Sequence, residues 1–126
     1  MKNLIYISLL FSIISCTQER TCKDLHEGEF NYADPELSHI EITRSSNSQI
    51  EINTETKIEA HTNIEWISDC EYVLTYKEFK NAPEEINFMV GKKIEAEIID
   101  INGNNFTCQV RTDDTDESME FKIAEE

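Results

Sequence analysis

Residues 57–66 read KIEAHTNIEW, and polarity switches at nearly every step. Ile58, Ala60, Thr62, Ile64 and Trp66 fall on one side, and Lys57, Glu59, His61, Asn63 and Glu65 on the other. A period of two is the mark of a strand, and one-sided alternation is the mark of an antiparallel sheet that buries a single face. The pattern recurs along the chain. It pairs Phe30 with Tyr32, Ile40 with Ile42, and Ile50 with Ile52. Further on it groups Cys70, Tyr72, Leu74 and Tyr76, then Ile94, Ala96 and Ile98. Phe106, Cys108 and Val110 follow, and finally Met119, Phe121 and Ile123. About eight strands result by this criterion. The adjacent Ile98–Ile99 breaks the phase, which predicts a bulge.

The connections are short and polar. Asn102–Gly103 predicts a tight type I′ hairpin turn, because that turn needs positive φ at both central residues. RSSNSQ at 44–49 and NTETK at 53–57 read as links, and TDDTDES at 112–118 as a longer acidic one. One stretch leaves the alternation. Pro83, then Glu84 and Glu85, with Gly91 after the apolar residues, predicts a short helix near 83–90. A loop or irregular strand is the other reading. The fold class is therefore all-β: an antiparallel up-and-down meander that closes, or nearly closes, into a barrel and so hides its strand edges. A two-sheet sandwich is the alternative.

The N-terminus is of a different kind. Lys2 precedes an apolar run from Leu4 to Ile14, interrupted only by Ser8 and Ser12. That is shorter than the ~20 residues a spanning helix needs, and it suits the core of an export signal. The run ends at IISC, residues 13–16. This resembles the lipobox of bacterial lipoproteins. The resemblance implies cleavage before Cys16, acylation of its thiol and usually of the new amino terminus. Residues 1–15 are then a signal peptide, 16–27 a lipidated N-terminus and tether, and 28–126 a single barrel-like domain. The expected place is the bacterial cell envelope, at the outer membrane, with the membrane itself as partner through the acyl chains (palmitate among them).

Four cysteines occur, Cys16, Cys22, Cys70 and Cys108. With Cys16 lipidated, one disulfide and one buried thiol is the simplest solution in an oxidising compartment. Cys22–Cys70 is the favoured pair, since Cys22 precedes the first strand and Cys108 shares a phase with Phe106. Spacing alone leaves Cys70–Cys108 open.

Two resemblances bear on the body of the chain. Gly28–Phe30, GEF, is similar to the G-x-W opening of lipocalin-type barrels, with Phe30 in place of tryptophan. It implies a lipocalin-like barrel and a downstream arginine partner, for which Arg111 is the candidate. The layout CKDLHEGEFNY, ITR, WISDCEYVL and NNFTCQV resembles a group of small bacterial lipoproteins. That group carries no biochemical role to transfer. The label "DNA topoisomerase IV" attached to some members conflicts with these residues. Such an enzyme needs a positive DNA path, and this chain has 11 basic against 26 acidic residues, a formal charge of −15.

No catalytic constellation stands out, and no enzyme is expected. His26, His39 and His61 are scattered, and alternation points His39 and His61 outward. No H-x-x-x-H pair suggests zinc, and Asp113 to Glu117 lacks the spacing of an EF-hand loop, so neither metal nor cofactor is expected. Trp66, Tyr72, Tyr76 and Phe106 are the candidate lining of a ligand cavity. The same aromatics equally suit a packed interior. Two functions follow. One is an envelope lipoprotein binding a small apolar ligand within the barrel. The other is a structural or interaction lipoprotein with a filled core, docking an envelope protein.

Overall fold

The computed structural model describes residues 19–124. The signal segment and Cys16 lie outside the described residues. Eight strands form in chain order: β1 Gly28–Tyr32, β2 Ile40–Arg44, β3 Ser48–Asn53, β4 Glu59–Trp66, β5 Glu71–Lys80, β6 Lys93–Asn102, β7 Asn105–Arg111 and β8 Asp116–Ile123. Each pairs antiparallel with the next, and β1 pairs with β8, so the sheet closes into an up-and-down barrel. The sandwich alternative is thereby excluded.

The alternation that predicted the strands also orients most of them. Phe30, Ile42, Ile64, Tyr72, Leu74, Ala96, Ile98, Phe106, Cys108 and Phe121 point inward and form one core with Leu25. β3 departs from the expected orientation. Its register sets Gln49 opposite Arg44 and Thr62, and Glu51 opposite Ile42 and Ala60, all on the inner side. Ile50 and Ile52 therefore face outward, half-buried between neighbouring strands. The physical reason lies in Arg44. This guanidinium is inside the barrel and needs an acceptor, and Gln49 supplies it at 2.9 Å.

The break at Ile98–Ile99 is a bulge: pairing slips between Ile98 and Asp100, and Ile99 is expelled, 52% exposed. A second slip, at His61/Thr62, lets Tyr76 and Phe79 of β5 both follow the inner side of β4. The β6–β7 turn is displaced by one residue from the expected type I′ centre. Asn102 pairs with Asn105, so Gly103 and Asn104 are the central residues. Only Gly103 has positive φ, +62°, which is the type II′ arrangement. The helix expected near 83–90 is a 3-10 run, Glu84–Met89, with Pro83 as its N-cap rather than inside its first turn.

The two ends of the barrel differ. One gathers the β2–β3, β4–β5 and β6–β7 connections and is plugged by a 3-10 turn, Cys22–Leu25. Leu25 is fully buried there, and a disulfide ties Cys22 to Cys70. Within the segment 16–27 read as lipidated N-terminus and tether, Cys22 and Leu25 pack against the barrel core. The far end gathers a second 3-10 turn, Pro35–Leu37, the Glu84–Met89 run, and the β3–β4 and β7–β8 connections.

Candidate functional site

Inside the plugged end sits Arg44, 5% exposed. A charge buried this deeply persists only when its donors are spent on good acceptors. Its Nε donates to Gln49 Oε1 at 2.9 Å, one terminal nitrogen to the Leu25 carbonyl at 2.9 Å, and the other to the Tyr72 hydroxyl at 3.1 Å. The guanidinium carbon also lies 4.7 Å from the Tyr72 ring centre, 5.0 Å from Phe30 and 5.7 Å from Trp66. Cation–π attraction adds to the hydrogen bonds in this dry setting. The arginine beside Phe30 is therefore Arg44, and the candidate Arg111 is excluded. Arg111 is out of phase with inward Val110 and lies on the outer wall, near Glu97 at 3.9 Å and Asp116 at 3.7 Å. Gly28 has φ +138°, a backbone conformation that side-chain-bearing residues rarely adopt, which accounts for glycine at that place.

Three of the four aromatic candidates belong to this packed region. Tyr72 and Phe106 are 3% and 2% exposed. Phe106 packs edge-on against Phe30 and stacks on Phe121. Trp66 is sandwiched: the His26 ring stacks on it at 3.5 Å and Tyr72 tilts against it at 4.7 Å. Its indole N–H is buried without a partner. His26 is held by this stack and by Nε2 near the Asp69 carbonyl at 2.8 Å. The free thiol of Cys108 is buried 3.8 Å from the Tyr72 hydroxyl. Burial pushes it up to about 11, against the opposing pull of Tyr72 and Arg44. It is a core group and not a nucleophile at neutral pH.

The fourth candidate, Tyr76, lies toward the far end in different company. There the inward side chains are half-buried rather than sealed: Tyr32, Glu51, Ala60, Tyr76, Phe79 and Met119. The Tyr32 hydroxyl donates to Glu51 Oε1 at 2.8 Å. Tyr76 and Phe79 stack at 5.1 Å, and Tyr32 leans on Phe121 at 5.0 Å. Ala60, opposite Glu51 on one side and Phe79 on the other, contributes only a methyl group between them. Burial raises the Glu51 carboxyl above its ordinary range, with the Tyr32 bond and Arg44 pulling the other way. Burial and then the Glu51 charge push the Tyr32 and Tyr76 phenols upward, so both remain hydrogen-bond donors. Three carboxylates, Asp34, Glu117 and Glu120, stand with Tyr32 and Met119 around a groove of ≈ 480 Å³ at this rim.

The structure thus separates the four aromatics between two clusters. Glu51 and Tyr32 were absent from the sequence-derived site. Alternation places Tyr32 inward with Phe30, and it turns Glu51 outward because its neighbours Ile50 and Ile52 read as the buried face. Among the described residues no group of three His, Cys, Asp or Glu side chains could hold a metal ion. The chain matches no family model, no curated protein and no solved structure.

Proposed function

We propose that this chain is an exported lipoprotein, held on the bacterial outer membrane by acyl chains on Cys16 after loss of residues 1–15, whose barrel takes a small amphipathic ligand at its far end. The observation carrying the binding role is the unsealed inner surface around Glu51 and Tyr32. An ionisable carboxyl on the inner side, bonded to a tyrosine that also lines the rim groove, is a candidate recognition group. Export is supported by the Cys22–Cys70 disulfide, a bond that persists in oxidising compartments. Two or more acyl chains make a stable anchor where one does not. The likeness to small envelope lipoproteins agrees with this and supplies no activity. The acidic surface and the absence of any catalytic constellation in the sequence argue against the topoisomerase label and for a non-enzyme.

The anchor also suggests an orientation. Arg20 donates to the Gly103 carbonyl at 3.0 Å, which fastens the chain to the plugged end. Four residues of chain span at most ~14 Å. An acyl anchor within that reach of Arg20 would hold the plugged end, rather than the Glu51 end, nearer the bilayer.

The packing of Trp66, Tyr72 and Phe106 favours a second reading, a purely structural or interaction lipoprotein. Native mass spectrometry of protein purified gently from its own membranes separates the two. The binding reading expects a small molecule that leaves on denaturation. Protein that arrives empty, and takes up no amphipathic probe on titration, supports the structural reading instead.

A further inference from the structure

We propose that the far-end site recognises the protonated amine of its ligand, with Glu51 as counter-charge and the rings of Tyr32, Tyr76 and Phe79 as the surrounding wall. This rests on the binding reading and specifies its ligand class.

Three independent features favour a cation. The first is the unmet charge. The Tyr32 hydroxyl is the one side-chain donor to Glu51 among the described residues. The interior cation, Arg44, has all three guanidinium nitrogens committed to Gln49, Leu25 and Tyr72. A partly desolvated carboxylate with a single neutral donor gains most from an ammonium group, which brings opposite charge and hydrogen-bond donors together. The second is the wall. Aromatic faces attract cations within about 6 Å, and tyrosine and phenylalanine line this region. The third is the approach. Asp34 and Glu117 stand with Tyr32 and Met119 at the rim groove, and the chain's net charge of −15 concentrates cations near the surface. A fatty acid or phosphorylated ligand meets repulsion at every one of these steps. The apolar remainder of the ligand has Ala60, Met119 and the Tyr76–Phe79 stack to lie against.

The test compares three water-soluble probes of similar shape: 2-phenylethylamine, 2-phenylethanol and 3-phenylpropionate. Each is titrated calorimetrically into the full lipidated protein in non-ionic detergent, with a detergent blank. The expected order is amine first, tighter than the alcohol by at least about tenfold, with the carboxylate unbound. Glu51→Gln, nearly isosteric and still able to accept from Tyr32, should bring the amine-to-alcohol ratio down toward one. An amine-to-alcohol ratio near one in the wild type overturns the inference, as does a ratio that Glu51→Gln does not alter. Either result leaves the binding reading intact. Failure of all three probes together with an empty native protein removes both. Should Glu51→Gln not fold, the wild-type ratio alone decides.

Discussion

Arg44 and Glu51 show how the same side-chain chemistry acquires different meanings inside one barrel. Arg44 has every guanidinium nitrogen paired and three rings around it. Truncation to alanine would strand Gln49, the Leu25 carbonyl and the Tyr72 hydroxyl in a dry site. Arg44→Ala is expected to cost about 3 kcal/mol or more, read from the urea midpoint. Arg111→Ala removes only exposed, long ion pairs and should stay within about 0.5 kcal/mol. Glu51 is the opposite case, a carboxyl whose pKa the fold raises from 4.5. Between that value and the raised one, the native state keeps a proton that the unfolded chain has lost. Stability falls as pH rises through the window and levels off above it. Glu51→Gln abolishes this contribution, so thermal unfolding should show the variant gaining on the wild type as pH increases. A difference independent of pH would contradict the placement of Glu51. Neither role is legible in the sequence: Glu51 falls on the face opposite Ile50 and Ile52, and Arg44 reads as the first residue of the polar link 44–49, although it shares the phase of Ile40 and Ile42 in HIEITR.

At the scale of elements, alternation located all eight strands and the Ile98–Ile99 bulge, because period two and its interruption are local properties of the backbone. It could not say which face of β3 turns inward. A one-residue change of register exchanges the faces, and register is decided by partners on β2 and β4. The outward face of β3 makes a direct prediction: Ile50→Lys should be tolerated within about 1 kcal/mol, whereas an inward isoleucine such as Ile42 should not accept lysine. The segment after Pro83 showed the right residues for a helical turn, but six residues supply too few hydrogen bonds for a stable α-helix, and it settles as 3-10. Cys22 ahead of the first strand and Cys108 in phase with Phe106 favour the pairing that forms, although spacing alone leaves Cys70–Cys108 open. Cys22–Cys70 closes a loop of sequence separation 48 that contains β1 to β4. On the chain-entropy account its removal costs about 4 kcal/mol. The double variant Cys22→Ala/Cys70→Ala should show that loss in chemical denaturation and should also loosen the plug around Leu25.

The molecule is a barrel with one end stitched shut and the other lined by half-buried side chains. Closure itself was foreseeable, since a meander of this many one-sided strands has exposed edges unless the first meets the last. The division of the interior was not, because it depends on a plug drawn from residues that looked like tether and on a charge that looked like surface. In the proposed function the stitched end lies toward the membrane and the Glu51 end away from it, and that arrangement depends on the fate of Cys16. Intact-mass measurement of the protein extracted from membranes addresses that point most directly. The account predicts a chain that begins at Cys16 and carries the mass of two or more acyl chains, with Cys22 and Cys70 oxidised. A mass equal to the 126-residue chain, with the residue 16 thiol free, would contradict it.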